Sequence, residues 1–296
     1  KRQAMHHIAR LERSARGVYC GAVGLMAPGG RVTFNVPIRT VTVDTLPPPA
    51  PWRAHCGIGS GITLDATGPG EAQEWRAKQA FLHRADAPFQ LLESLRLENG
   101  QIARVPAHLA RIQQAALAFH FADASQLPTL VEALTARLQA LSQAHPVGLF
   151  KVRLLVDDRL HITAEAAPLS AAAQPVRVAL ATQPMPPADA FIHHKTTRRT
   201  AYAAFSAPAG CFDTLLYNAA GELTEFTIGN VAVQLNGRWL TPPLSAGLLP
   251  GVMRQSLLDA GQLQEAHIQL DDLPHATGLA LLNSVRGWMP VELVQR

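Results

Sequence analysis

The chain has 296 residues, 48% of them hydrophobic and only 16% charged, with a formal net charge of +4. That is enough apolar material for one large core or two smaller ones and excludes wholesale disorder. The 26 basic residues are scattered among 22 acidic ones and no run of about 18 uncharged apolar residues occurs, which argues against a nucleic-acid surface and a membrane span.

In chain order, Ala4–Arg13 reads as a helix, and Val18–Met26 and Val32–Val43 as apolar strand-like runs. Pro47-Pro48-Pro49-Ala50-Pro51 reads as a loop, because proline cannot donate to a sheet ladder. Glycine-rich Gly57–Ile62 follows, then a helix over Glu71–Arg84 that Asp86-Ala87-Pro88 breaks. The main boundary is placed there. Phe89–Leu97 reads as a strand and Asn99-Gly100 as its turn. Pro106–Ala122 and Pro128–Ala144 have apolar residues at helical spacing, the second with Leu130, Leu134, Leu138 and Leu141 on one stripe. Leu149–Val156 and Leu160–Ala164 read as a hairpin, and Val176–Ala181 as a further strand.

Prolines 184, 186 and 187 form a loop, so a second subdomain starts near Ala188. Its strands are Asp213–Asn218, Thr227–Leu235, Trp239–Thr241, Leu279–Ser284 and Met289–Leu293, with Asn236-Gly237 as a hairpin turn. A helix runs from Pro250-Gly251 to Asp259. The three regions expected are therefore 1–85, 86–187 and 188–296, in a mixed α/β (α+β) chain. Cys20, Cys56 and Cys211 are far apart and show no metal-ligand spacing, which reads as three reduced thiols in a cytoplasmic protein without a metal. The first residues, Lys1-Arg2-Gln3, give no signal-peptide pattern and read as a piece of something longer.

Four local features carry chemistry. Lys195, within His193-His194-Lys195-Thr196-Thr197-Arg198-Arg199, is either part of a solvated basic loop or a Schiff-base lysine activated by neighbouring cations. Glu225, in Thr224-Glu225-Phe226-Thr227-Ile228-Gly229-Asn230, is either a turn carboxylate or an anion that holds a protonated heterocyclic nitrogen. Leu249-Pro250-Gly251-Val252-Met253-Arg254 opens a helix, and its first N–H groups suit a phosphate. Arg111, in His108-Leu109-Ala110-Arg111, is by itself a solvent-facing helix residue.

Taken in this order, the four resemble the class IV pyridoxal-phosphate enzymes, a family that includes branched-chain and D-amino-acid aminotransferases and 4-amino-4-deoxychorismate lyase. The resemblance runs from about Phe89 to the C-terminus. It implies the fold-type IV architecture of two subdomains, a homodimer, and pyridoxal 5'-phosphate in the cleft between subdomains. It also implies roles: Lys195 carries the cofactor and moves the proton, and Glu225 keeps the ring nitrogen protonated. Val252, Met253 and Ser284 touch the phosphate, which Arg111 neutralises bidentately. Many relatives have a tyrosine five residues after the lysine; here Thr200 stands there, with Tyr202 nearby.

Residues 1–85 resemble the C-terminal end of chorismate-utilising enzymes, through Phe34–Thr40, Gly57–Ile62 and Glu71-x-x-Glu74-x-x-x-Lys78. In that family the arginine equivalent to Arg39 holds a carboxylate, and the glutamates equivalent to Glu71 and Glu74 share Mg²⁺. Most of such a domain is missing upstream, so these three are read as remnants. The combined resemblance implies a lyase that makes 4-aminobenzoate and pyruvate from 4-amino-4-deoxychorismate, with Arg286 as anchor for a substrate carboxylate. The alternatives are a class IV aminotransferase of branched-chain or D-amino acids, and a truncated protein that only binds a partner. The intact Lys195, Glu225 and Arg111 set argues against the last.

Overall fold

A computed structural model describes residues 2–12, 14–45, 53–86, 88–172, 174–187 and 190–294. The chain divides into two units, Lys1–Pro88 and Phe89–Arg296. The proline patch at 47–51 and the subdomain start at Ala188 lie outside the described residues.

In the first unit, helix α1 (Arg2–Leu11) has no buried residue. Strands β1 (Val23–Met26) and β2 (Val32–Asn35) form one antiparallel hairpin, and β3 (Val41–Asp44) and β4 (Arg53–Cys56) another. The expected run Val32–Val43 is therefore split. Its interruption falls at Pro37-Ile38-Arg39, where Arg39 takes a left-handed φ of 51° that no strand tolerates. Helix α2 spans Gly68–Asp86.

The second unit begins with a four-stranded antiparallel sheet. It contains β5 (Leu91–Glu98), β6 (Gln101–Ile102), β7 (Leu149–Val156) and β8 (Ile162–Pro168) in the order β6-β5-β7-β8. Helices α3 (Val105–Ala118) and α4 (Leu127–Ala144) cover one face of it. Leu91, Leu95 and Leu97 of β5 and Val152, Leu154 and Val156 of β7 pack there against Ile112, Ala116, Leu130 and Leu134. The alternation that buries these residues turns their neighbours in the strand to the opposite face. Helix α3 ends earlier than its apolar spacing predicts, because His120 adopts φ 55° and Phe121 folds back to hydrogen-bond Ala116.

A nine-stranded mixed sheet follows. Its members are β9 (Arg177–Leu180), β10 (Asp213–Tyr217), β11 (Leu223–Phe226), β12 (Gly229–Leu235), β13 (Arg238–Thr241), β14 (Gln264–Glu265), β15 (Gly278–Asn283), β16 (Gly287–Pro290) and β17 (Glu292–Leu293). Two short helices complete the unit, α5 (Ala190–His193) and α6 (Val252–Asp259). Val178, Leu215, Leu223, Phe226, Val231, Val233 and Leu281 form the sheet's main core. Both Asn-Gly turns have positive φ at both central residues, the geometry that matches the twist of the flanking strands. No described helix is long and apolar enough to cross a membrane.

Candidate active site

Lys195 follows α5 and is fastened by its backbone to the small sheet. Its carbonyl accepts from the Leu92 N–H at 3.0 Å, and Thr197 exchanges hydrogen bonds with Gln90 on either side of the bridge between Leu91 and Thr196. The side chain enters a cavity of about 510 Å³ within the second unit. Enclosure by protein, with Arg111 and Arg199 nearby, lowers its ammonium pKa to about 8. A substantial fraction is then neutral, and so nucleophilic, near physiological pH.

Glu225 faces the same cavity and is 3% exposed. It sits in a short strand of its own, β11, just before the strand predicted to start at Thr227. Burial raises its pKa to about 7, against the opposing effect of the Tyr202 hydroxyl, which donates to Oε1 at 2.6 Å. Asn230 Nδ2 and the Leu249 N–H donate to Oε2 at 3.3 and 3.2 Å. Tyr202 thus brings a hydroxyl to the carboxylate although the tyrosine is displaced by two positions from its usual place. The turn after β11 is held by Asp213, which accepts from the N–H groups of Thr227 and Ile228.

The start of α6 forms another part of the wall. Gly251 is its N-cap, and the first N–H groups of α6 have no carbonyl one turn back. Gly251 is required by proximity rather than by its φ of −73°, because a Cβ there would lie 1.8 Å from Asn230 Oδ1. Val252 and Met253 line the cavity at this helix start. The Met253 sulfur accepts from Arg104 at 2.8 Å.

Arg111 lines the cavity, but its expected bidentate role is corrected. Nε and Nη2 grip Glu93 at 2.7 and 2.6 Å, and Nη1 donates to the Pro250 carbonyl at 2.9 Å. The two parallel bonds are already used inside the protein, so a phosphate can meet only what remains at the tip of the fork. Glu93 is 1% exposed. Burial alone would raise its pKa, but Arg111 and His108 beside it hold it down at about 2. The sequence reading missed this residue. Its signal was an acid in the core-facing rhythm Leu91, Glu93, Leu95, Leu97, matched by His108 and Arg111 one helical turn apart on α3.

Ser284 and Arg286 stand in the turn between β15 and β16 and also line the cavity. Arg286 donates to the Ser170 carbonyl at 3.0 Å, and its guanidinium lies 5.3 Å from the centre of the Phe212 ring. The cavity therefore gathers all seven candidates: Lys195, Glu225, Arg111, Val252, Met253, Ser284 and Arg286. It adds Arg199, from the basic segment around Lys195, and two cations with no signal in the sequence, Lys151 and Arg153. Six cationic side chains face it and one carboxylate, Glu225, among the described residues.

Residues 90–294 match the family described as amino-transferase class IV. The chain belongs to that family. Residues 1–84 match the family described as chorismate binding enzyme. An amino-acid aminotransferase, provisionally so named, from Mesorhizobium loti superimposes with a TM-score of 0.62 at 33% identity, over 70% of this chain and 100% of that one. The 4-amino-4-deoxychorismate lyase of Pseudomonas aeruginosa gives 0.58 at 21% identity, over 73% and 85% of the respective chains, which shows a shared fold. A provisionally named aminodeoxychorismate lyase of Schizosaccharomyces pombe is 47% identical over 77 residues, 25% of this chain. The chain spans about a third of that relative's length.

In the first unit the two remnant glutamates have local partners. Arg39 is exposed, Glu71 accepts from Ser60, and Glu74 forms an ion pair with Lys78 at 2.6 Å. Among the described residues no group of three acidic, histidine or cysteine side chains could hold a metal.

Proposed function

We propose that this chain is a pyridoxal-phosphate-dependent lyase that converts 4-amino-4-deoxychorismate to 4-aminobenzoate and pyruvate. The observation that carries the reading is the cavity's charge, five cations against a single carboxylate around Lys195. A cofactor phosphate plus a dicarboxylate substrate is the load such a lining neutralises. A branched-chain amino acid brings one carboxylate and an apolar tail. The match of residues 1–84 to chorismate-binding enzymes supports a chorismate-derived substrate.

The donor set fits the cofactor. Lys195 would attach it, Glu225 would face its ring nitrogen, and the α6 N-terminus with Ser284 and the tip of Arg111 would take its phosphate. When bound, pyridoxal phosphate supplies an electron sink for the pair left by a broken C–H bond. The chain's own work is proton handling and orientation. A neutral Lys195 amine, favoured by a pKa of about 8, removes the hydrogen from the ring carbon that bears the substrate amine. The neighbouring ring C–O bond breaks, the enolpyruvyl group departs, and the same proton can return to it as pyruvate forms. The ring becomes aromatic, and no oxidant, water or keto-acid acceptor is consumed. Glu225, ionised beside a ring cation, stabilises the charge the sink needs, while Tyr202 and Asn230 fix its two oxygens.

The test supplies each substrate set separately. Aminodeoxychorismate alone should give equal amounts of 4-aminobenzoate and pyruvate. Conversion of the cofactor to its amine form by leucine, glutamate or D-alanine, with no 4-aminobenzoate formed, would instead assign the chain to the aminotransferases, the activity named for the Mesorhizobium relative.

A further inference from the structure

We propose that Arg199 is a positioning residue for Glu225: its guanidinium lies on the Tyr202 ring and holds that hydroxyl on the carboxylate assigned to the cofactor's ring nitrogen. The proposal rests on the pyridoxal-phosphate part of the reading above, and not on the choice between lyase and aminotransferase.

The arrangement starts from backbone geometry. Arg199 is the N-cap of a short 3₁₀ helix over Thr200–Phe205, and its carbonyl accepts from the Tyr202 N–H at 3.0 Å. Side chains three residues apart eclipse one another in such a turn. Arg199 is thereby brought over Tyr202, with its guanidinium carbon 4.5 Å from the centre of the ring. The fork is also held at a second point, because Nη2 donates to the Thr227 carbonyl. Thr227 is itself fixed, since its N–H and its hydroxyl both donate to Asp213. Arg199 therefore spans from the turn after β11 to the ring whose hydroxyl reaches back to Glu225 within β11. All four residues, Arg199, Tyr202, Glu225 and Thr227, border the cavity.

The electrostatics act in the same direction. A cation over the face of a phenol favours negative charge on its oxygen, so the O–H becomes a stronger donor. The bond strengthened is the 2.6 Å contact from the Tyr202 hydroxyl to Glu225 Oε1. Among the described residues Arg199 forms no ion pair, so no carboxylate in contact cancels its charge. The groups that face Glu225 are Tyr202, the Leu249 N–H, Asn230, Lys195 and Arg199. Burial pushes the carboxyl up, and Tyr202, the Leu249 N–H, Lys195 and Arg199 oppose it. Arg199 acts twice among these, by its own charge and through the ring it covers. An ionised Glu225 keeps the proton on the ring nitrogen; a protonated one would withdraw it.

The test loads the protein with pyridoxal phosphate isotopically labelled at the ring nitrogen, whose NMR resonance reads whether that nitrogen or Glu225 holds the proton. Near neutral pH the unmodified holoenzyme should give the resonance of a protonated ring nitrogen. In Arg199→Gln and in Tyr202→Phe it should move towards the unprotonated value. Arg199→Lys keeps the charge but loses the planar fork, and should fall between. Because Arg199 acts through Tyr202, the shift in the double variant Arg199→Gln with Tyr202→Phe should be smaller than the sum of the two single shifts. Far-UV circular dichroism checks that each variant is folded, and should Arg199→Gln fail to fold, Arg199→Lys and Tyr202→Phe carry the same test. A resonance unchanged in Tyr202→Phe or in the folded Arg199 variants, or single shifts that add in full, overturns the proposal and leaves the cofactor reading intact. An unmodified protein that takes up no labelled cofactor removes both.

Discussion

The two units each match a family of enzymes, yet they hold their carboxylates in opposite ways. In the first unit, Glu74 is paired with Lys78 on the exposed side of α2, with half its side chain in water. Val23, Leu25, Phe34, Ile38 and Val43 are also exposed there, beside two separate two-stranded sheets. In the second unit, Glu93 and Glu225 are almost wholly buried, and each has at least two donors aimed at it. Burial makes a carboxylate costly unless its partners are fixed. Where that cost is met, the pKa values diverge, one to about 2 and the other to about 7. A site thus needs the enclosure that makes its residues unusual, beyond the residues that mark a family.

Changes in the second unit should therefore be severe and those in the first slight. The largest effect is expected for Lys195→Ala, which should cut 4-aminobenzoate formation by at least about 10⁴-fold, the upper worth of a positioned acid–base group. Borohydride labelling by the cofactor should disappear while far-UV circular dichroism is kept. Retained labelling would place the attachment elsewhere. Glu225→Gln should keep the cofactor and lose about 10²–10³ in kcat, the typical loss of one preorganised electrostatic partner. A Gln variant of normal kcat would exclude Glu225 as the ring's partner.

Glu93→Ala should destabilise the second unit by about 3–5 kcal/mol, because Arg111 is left charged and buried. Thermal melting followed by the cofactor signal measures this. The same residue sets an acid limit. Its folded pKa of about 2 lies below the ordinary value of 4.5, so its stabilisation is complete above pH 4.5 and is lost as pH falls from there towards 2. An acid-unfolding midpoint unmoved by the substitution would contradict this. A milder effect concerns cofactor capture. Its rate should rise with pH through about 8, as Lys195 loses its proton, and a flat profile would mean that the amine is not the limiting group. The smallest effect belongs to the first unit. Glu74→Gln should change 4-aminobenzoate formation by less than about two-fold, since an exposed ion pair is worth little. A larger loss would show that α2 communicates with the cavity.

Much of this arrangement was legible in the sequence, where local chemistry and position coincide. Pro250-Gly251 announces a helix start, the two Asn-Gly pairs announce hairpins, and Lys195 lies among cations. What escaped depends on pairing between distant segments. β11 is a four-residue strand whose partners β10 and β12 must be known before Glu225 is seen to be buried within it. Lys151 and Arg153 look like ordinary solvated residues of an amphipathic strand. Only the seating of Lys195 against β5 reveals that their side of the sheet borders a cavity. Arg111 shows the reverse error: the motif found the residue, but its first partner is the protein's own Glu93.

The rung between the Lys195 carbonyl and the Leu92 N–H has a practical consequence. The residue proposed to carry the chromophore is, by its backbone, an extra edge of the small sheet. Whatever peels that sheet from the segment at 195–197 also displaces the attachment point of the chromophore. The yellow colour of the loaded protein would then act as a built-in optical sensor of cohesion between the two halves of the second unit, readable during heating, denaturant titration or ligand screening without any added label.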